Sequence, residues 1–535
     1  MKVFPHACCE LTRLFFSQTG KVLPDFSTEG TQEGGILKSA FEKSAPVMLS
    51  GAQKLAADVA GVKWLVEDAR PLTATSTPAF TAYMHAATGG RYGGACYSTN
   101  RSIVTKLAQE SKDRASSFLA SLETDNVKPS LSGDCWSSNG VAIFGIKAHA
   151  IDKDWKLRSC LVGALPCGLD RHTGDFLDKA TDSAMEKLGF TNNVDGIFIK
   201  VGDNAANQVK AWKNDGMIGC AAHTLQLSEK LYAAAGNGFN NLVLSKGSGL
   251  VGHFNQSTVG KNELHVYQKQ LQIPETSLEQ RVATRFNSTL KMCRSLVQSK
   301  SAIILYDVNA TDPGEVFKSS KLTTHEWDVI EETAACLQTA HDAVKLLEGD
   351  KYVTSSLVLP AIHKVMVSLL PSTDVILSTR QPSDSRYRLA SSELCKSVRE
   401  GRAAMLADVK TRFITEVSDI QKKTHLISCG LDPRFHNFDW IEGSVFPSAW
   451  KETGLSLLKR EFVIFWTGRK IQTVSSDKDT VNESDEIGTP SMRLTAPVIA
   501  SKKTLKDPGV SFSSFFDDFG RWVPLDPWIC SSFRL

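Results

Sequence analysis

Short apolar runs separated by glycine and aspartate distinguish residues 129–219 from the rest of the chain. The runs at 129–136, 140–151 and 155–165 are too short for typical helices, and their Gly and Asp flanks favour buried strands. A turn at Asp152-Lys153-Asp154 joins the second run to the third. Further strand-like runs at 196–203 and from Met217 alternate with helical segments. The pattern predicts three strands, then helix, strand, helix and strand.

Helical spacing of apolar residues dominates on both sides of this region. Leu55, Val59, Val62 and Val66 recur every three or four residues, and residues 278–423 are helical between prolines. Thr173 has the chemistry of an N-cap for a helix that reaches residue 188. The pattern therefore predicts an α/β protein. Its ribonuclease-H-like mixed sheet is interrupted by a large all-α insertion and preceded by an N-terminal helical region.

Composition adds region boundaries to this pattern. Residues 1–35 show no clear period, and residues 474–510 are rich in Ser, Thr, Asp, Lys and Pro, which is typical of a disordered linker. We expect five regions. The first three are an unstructured leader at 1–35, the helical region at 36–125 and the ribonuclease-H-like core at 126–278. They are followed by the all-helical insertion at 279–450 and a mostly disordered tail at 451–535.

The net charge and the spacing of the cysteines exclude few classes of function. The 535 residues carry 61 basic and 58 acidic side chains, and a net charge of +3 neither demands nor excludes nucleic acid. The twelve cysteines are scattered, the N-terminus is a poor secretory signal, and no apolar stretch approaches the ~18 residues of a membrane span. We expect an intracellular protein with free thiols and no membrane association.

Two aspartates follow predicted strands and are candidate metal ligands. Asp134 lies at the expected end of the first strand and Asp203 at the end of the fourth. These strands are neighbours in a ribonuclease-H-like sheet, and carboxylates at such a place can hold the divalent ions that phosphodiester cleavage uses. An Asp after a strand is more often a turn or capping residue, so position alone does not decide the role.

Several short motifs, in order over about residues 45–440, resemble those of the hAT superfamily of DNA transposases. The Asp134 motif, Ser-Gly-Asp-Cys-Trp-Ser-Ser, is similar to the first acidic motif of that family, and Asp203-Asn-Ala-Ala-Asn is similar to the second. The resemblance is strongest to domesticated vertebrate proteins with a BED-type zinc finger. Other matching segments are Ala148–Trp155, Arg171-His-Thr, Gly219–Leu227, Thr284–Thr289, Tyr352–Ser356 and Leu431–His436.

The resemblance implies roles for six residues. Asp134 and Asp203 would be the first two members of an Asp-Asp-Glu triad that binds Mg²⁺. Cys220 and His223 would form a structural pair at a strand-to-helix junction. Zinc is not expected there, because it requires four ligands and no second pair lies nearby in the sequence.

Arg285 and Phe286 match a DNA-contacting Arg-Trp pair of the family, and Phe286 keeps an aromatic face for stacking on a base. The alternative, a helix-capping Arg and a core Phe, stays open for these two residues.

The chain departs from the family pattern in three places. In the family, the third acid is a Glu within a Ser-x-x-Glu-Arg-x-Phe-Ser motif. Four glutamates after Trp450 are candidates for it, and none of them lies within such a motif. The C-terminal dimerisation segment and the N-terminal BED finger are not recognised either, so homodimerisation and sequence-specific DNA docking are in doubt. The glutamates concerned are Glu452, Glu461, Glu483 and Glu486.

These observations together predict a transposase-derived nuclear protein without catalytic activity. It would act as a DNA-associated or transcription-related interaction protein, with weak or indirect DNA contact and other nuclear proteins as partners. One alternative is an active Mg²⁺-dependent transposase or nuclease with an unrecognised third acid, so enzyme activity is left open. The other is a non-functional truncated gene product.

Overall fold

The computed structural model describes residues 48–125, 127–138, 141–152, 154, 156–167, 173–190, 199–213, 216–282, 287–310, 313–377, 379–380 and 383–476. The expected leader at 1–35 and the pair Arg285 and Phe286 lie outside these residues. Contacts divide the described chain into two units. The first contains residues 48–121 and 187–190, and the second contains the rest.

The first unit is helical. It contains α1 (Gly51–Glu67), α2 (Pro78–Thr88) and most of α3 (Tyr97–Thr124). The buried face of α1 includes Asp58, Val62 and Leu65, whereas Leu55 is exposed, so the expected apolar face is rotated. Burial of Asp58 explains the rotation, because its carboxylate accepts a 2.7 Å hydrogen bond from the buried Tyr92 hydroxyl.

The second unit begins with a mixed five-stranded sheet in the order β3-β2-β1-β4-β5, which is consistent with a ribonuclease-H-like topology. β1, β2 and β3 pair antiparallel, whereas β4 pairs parallel with both β1 and β5. The predicted succession of strands and helices is confirmed. The elements are β1 (Ser130–Ser138), β2 (Val141–Ile151), β3 (Leu157–Pro166), α4 (Gly174–Glu186), β4 (Lys200–Gly202), α5 (Ala206–Trp212) and β5 (Met217–Gly219).

Two local predictions in this sheet region are confirmed by hydrogen bonds. The Asp152 carboxylate accepts bonds from the N–H groups of Asp154 at 3.0 Å and Lys156 at 2.9 Å, which closes the turn between β2 and β3. The Thr173 hydroxyl accepts a 3.3 Å bond from the Phe176 N–H and so caps α4. Both contacts join residues close in sequence, which is why the sequence predicts them.

The two faces of the sheet differ in burial because side chains alternate along each strand. Phe144, Ile146 and Ala148 on β2 are fully buried, and the ring of Phe144 lies 6.1 Å from that of Trp212 on α5. We call this side the core face. The opposite side, which we call the open face, carries Asp134 and the 44% exposed Trp136.

Helices build the rest of the second unit around one continuous hydrophobic core. A two-stranded antiparallel ladder, β6 (Val375–Ile376) with β7 (Arg388–Leu389), interrupts the expected all-helical insertion. The helices are α6 (Ala221–Ala234), α7 (Phe239–Gln256), α8 (Thr258–Gln270), α9 (Asn287–Asn309), α10 (Glu315–Ser320), α11 (Thr324–Leu347), α12 (Val358–Leu369), α13 (Lys396–Lys410), α14 (Asp419–Leu431) and α15 (Ala449–Ser476).

Part of the range 451–535, expected as a mostly disordered tail, is helical, because α15 continues to Ser476. Its first half packs on α14, where the Leu458 side chain lies against Gly430. The Glu461 carboxylate also lies 2.8 Å from the Lys423 ammonium of α14. These tertiary contacts keep the segment helical although its sequence lacks a clear apolar period. Residues 477–535 lie outside the described residues.

None of the helices within the described ranges is both long enough and apolar enough to cross a membrane.

Candidate functional site

The pairing of β1 with β4 brings Asp134 and Asp203 to neighbouring positions. Leu131 is paired with Lys200 and Ser132 with Val201, in parallel register. Two residues beyond the last pair, the same register places Asp134 beside Asp203 on the open face. The expectation that these two aspartates lie side by side on adjacent strands therefore agrees with the structure.

The expected position of Asp134 at the end of β1 is wrong. β1 continues to Ser138, and Asp134 lies mid-strand opposite Gly145 of β2. The reason is that the antiparallel pairing of β1 with β2 continues to Ser138, whereas its parallel pairing with β4 ends at Ser132 and Val201. Asp134 thus lies where the β1–β4 pairing ends, so one edge of its strand is open at the site.

Asp203 connects β4 to α5 and has a local structural role as well. Its carboxylate accepts a 2.9 Å hydrogen bond from the Ala205 N–H, at the N-cap of α5. The turn role that position alone favours for an Asp after a strand is therefore present. Asp203 is half-buried, and the bond to Ala205 occupies one of its two carboxylate oxygens.

Cys220 and His223 lie beside the two aspartates, at the start of α6. The Cys220 N–H donates a 2.7 Å bond to the Gly202 carbonyl and so ties α6 to β4. Thr224 donates its hydroxyl to the Cys220 carbonyl at 2.9 Å and accepts a 2.8 Å bond from the Asn204 amide. These bonds hold the strand-to-helix junction together.

The proximity of these groups shifts their pKa values. Burial raises the pKa of Asp134, the nearby charge of Asp203 raises it further, and His223 opposes both. Burial also raises the pKa of the Cys220 thiol, and the charge of Asp134 adds to the rise.

One acidic residue that the sequence interpretation missed belongs to the same neighbourhood. Glu348 lies one residue beyond the end of α11, and its charge contributes to the raised pKa of Cys220. Burial raises the pKa of Glu348 itself, against the effect of Lys345. No local signal marks Glu348, because only the fold brings a residue of α11 close to a junction more than a hundred positions earlier.

The other predicted candidates do not join this cluster. Glu461, one of the glutamates considered as a third acid, is paired with Lys423 on α14. Glu452 is exposed in the first turn of α15. Glu483, Glu486 and the DNA-contact candidates Arg285 and Phe286 lie outside the described residues.

Metal chemistry at this site is limited by the number of donors. Within the described ranges, no three His, Cys, Asp or Glu side chains lie close enough together to hold a metal ion. Mg²⁺ is commonly held by one or two carboxylates while it keeps several waters. Asp134 and Asp203 therefore fit a single hydrated Mg²⁺, and they do not by themselves fit a two-metal cage.

A scan against models of known protein families and a search of curated proteins find no significant match to this chain.

Proposed function

We propose that the chain is a transposase-derived nuclear protein with a ribonuclease-H-like core, a helical insertion and no strand-cleaving activity. The neighbouring placement of Asp134 and Asp203 at the end of the β1–β4 pairing is the observation that supports this most. It is the placement that the resemblance to hAT transposases requires of the first two acids of the triad. The protein would act through weak or indirect DNA contact and through other nuclear proteins.

The carboxylate pair would hold one hydrated Mg²⁺. Burial raises the pKa of Asp134, and repulsion from the neighbouring Asp203 carboxylate raises it further. A divalent cation would relieve the repulsion and supply charge stabilisation to a phosphate oxygen. The residues would orient the ion, with Asp203 held in place by its bond to the Ala205 N–H.

The first test is the effect of Mg²⁺ on the free energy of unfolding. If Asp134 and Asp203 hold the ion, Mg²⁺ at ten times its Kd stabilises the wild-type chain by about 1.4 kcal/mol. D134N and D203N should each lose this gain. D134N should also be more stable than wild type in the absence of metal at neutral pH, because it removes a partly desolvated charge beside another carboxylate.

The matched control is D182N, which changes an exposed aspartate of α4 and should keep the full response to Mg²⁺. A response of equal size in all four proteins would contradict binding by the pair. The same proteins, incubated with radiolabelled DNA duplexes in Mg²⁺ or Mn²⁺, should produce no strand cleavage.

The alternative, an active nuclease, has Glu348 as its candidate third acid, and it requires this residue to move closer to the pair, because no three metal-binding side chains of the described residues lie close enough together to hold an ion. The charge of Glu348 acts on Cys220, as does that of Asp134, so both carboxylates lie near the start of α6. This candidate predicts metal-dependent cleavage that E348Q abolishes as completely as D134N. Absence of cleavage in wild type, with Mg²⁺ binding intact, would reject it and retain the first proposal.

A further inference from the structure

A half-open cavity of about 230 Å³ lies on one face of α13, away from the carboxylate pair. Residues of α13 spaced by three and four positions form one wall, and Leu369, Pro371 and Ser391 form the other. The α13 residues are Arg399, Arg402, Ala403, Leu406, Ala407 and Lys410.

Three cations and no carboxylate line this cavity. Arg399, Arg402 and Lys410 contribute the cations, and in the described part of the chain none of them forms an ion pair. The arginines of the neighbouring β6–β7 segment differ, since Arg380 pairs with Glu331 and Arg386 with Glu332. The cavity therefore concentrates positive charge that no side chain of the described chain neutralises.

The charge of Arg402 makes this arrangement unusual. Its side chain is 2% exposed, and it donates to the Ser368, Leu370 and Thr373 carbonyls at 2.9–3.0 Å, at the C-terminal end of α12. Carbonyl dipoles at a helix C-terminus stabilise a cation, but they do not cancel its charge. The Arg402 Nε is also buried without a hydrogen-bond partner. A buried cation without a counter-charge is costly, and an anion in the cavity would relieve that cost.

The remaining lining groups define what such an anion would carry. Ser391 accepts a 3.1 Å bond from Arg402 Nη1, which leaves its own hydroxyl hydrogen available to an acceptor in the cavity. Leu369, Pro371 and Leu406 offer apolar surface to the cavity. An inorganic ion alone would leave this apolar wall without a partner.

We propose that the cavity binds a small organic anion. Its carboxylate or phosphate group would lie beside the Ser391 hydroxyl, above the buried charge of Arg402, and Arg399 and Lys410 would attract it from opposite ends of the cavity, three helical turns apart. Its apolar body would pack on Leu369 and Leu406. Carboxylate and phosphate share the chemistry that the cavity recognises, and separate probes distinguish them.

The experiment is isothermal titration calorimetry of the full chain with phenyl phosphate and with phenylacetate. Saturable binding of at least one of them is expected, at a single site, and it should weaken as salt screens the cations. The two arms identify the preferred anionic group. Benzyl alcohol, which lacks the charge, and inorganic phosphate, which lacks the apolar body, should each bind much more weakly.

The variants R399Q and K410Q assign the binding to this cavity. Each removes one exposed or half-buried cation and should weaken binding about threefold or more, because one of the charges that attract the anion is lost. Arg402 is left unchanged because it also caps α12. The matched control is K396Q, which removes an exposed cation of the same helix outside the cavity and should change affinity by no more than about twofold.

Three results would overturn the proposal. They are no saturable binding of either anion to the wild-type chain, binding that K396Q weakens as much as R399Q and K410Q do, and equal affinity for benzyl alcohol. Far-UV circular dichroism of each variant checks that α13 is still folded, so loss of binding is not confused with loss of structure.

Discussion

Gly133 shows how tightly the sheet packs beside the candidate site. It precedes Asp134 on β1, and a Cβ at this position would lie 2.4 Å from Cη2 of Trp212 and 3.0 Å from Cε2 of Phe144. Both rings are fully buried and cannot move away easily. The absence of a side chain at residue 133 therefore allows α5 to pack on the sheet directly behind the aspartate.

G133A should destabilise the protein by about 1–3 kcal/mol, because overpacking a closed core forces neighbouring rings out of place. The matched control is G163A, on β3 of the same face, where a Cβ would meet Ala184 at 3.4 Å, a tolerable contact. It should stay within about 0.5 kcal/mol of wild type. Urea denaturation of the three proteins measures the difference, and equal losses in both variants would contradict the packing argument.

At the scale of elements, α11 anchors the β6–β7 segment through buried carboxylates. Glu332 of α11 has a fully buried side chain and lies 2.8 Å from Arg386 Nη2. Its other oxygen accepts a 2.8 Å bond from the Cys395 N–H, just before α13. Burial raises the pKa of Glu332, whereas Arg386 and Cys395 oppose the rise. One carboxylate thus joins α11 to both neighbouring segments.

R386M should cost about 3 kcal/mol, because it leaves the buried Glu332 without its counter-charge. The double variant R386M/E332Q should recover part of this loss, since glutamine carries no charge to desolvate. R388M, two residues away, breaks only an exposed pair with Asp374 at 3.8 Å and should cost less than about 0.5 kcal/mol. Similar unfolding midpoints for R386M and R388M would show that the buried pair contributes nothing specific.

Local signals allowed part of this architecture to be predicted from the sequence. The turn at Asp152 and the cap at Thr173 depend on contacts within four residues, so composition and spacing reveal them. The adjacency of β1 and β4 followed from the succession of strands and helices, and it is confirmed by the Ser132–Val201 pairing.

Contacts between distant segments decided the features that could not be predicted. The length of β1 beyond Asp134 depends on its pairing with β2, and the helix after residue 451 depends on packing against α14. Glu348 reaches the neighbourhood of Cys220 only through the packing of the helical part, because nothing near it in sequence indicates a site.

For the whole molecule, buried titratable groups act on stability in opposite directions as pH changes. Burial raises the pKa of Glu229 on α6 from 4.5 to about 7, although a bond with Thr289 and the charge of Arg281 oppose the rise. The native chain then holds a proton that the unfolded chain releases, so stability falls as pH rises from 4.5 to 7.

Buried histidines give the opposite slope. Burial lowers the pKa of His425 on α14 from 6.5 to about 4, and both of its ring nitrogens lack hydrogen-bond partners. Burial likewise lowers the pKa of His341 on α11 to about 4. Between pH 6.5 and 4 these histidines are protonated in the unfolded chain and neutral in the native chain. Stability therefore falls as pH decreases from 6.5 to 4. Together the two slopes predict a stability maximum in mildly acidic solution.

Substitution of Glu229 should therefore move the stability maximum to higher pH, and substitution of His425 should move it to lower pH. E229Q should gain about 2–3 kcal/mol of unfolding free energy at pH 8 and little near pH 4.5, because glutamine resembles the protonated carboxyl.

H425L should gain about 2 kcal/mol more unfolding free energy at pH 5 than at pH 8, because leucine binds no proton in either the native or the unfolded chain. H425L alone should have the flattest dependence of unfolding free energy on pH between 4.5 and 6.5, because the opposing slopes of His341 and Glu229 then cancel, whereas the double variant keeps the slope of His341. Urea titrations from pH 4.5 to 8.5 at constant ionic strength measure these values, with the exposed Glu275 and His436 changed in E275Q and H436L as controls. Gains that do not vary with pH would mean that Glu229 and His425 affect stability through packing and not through their protons.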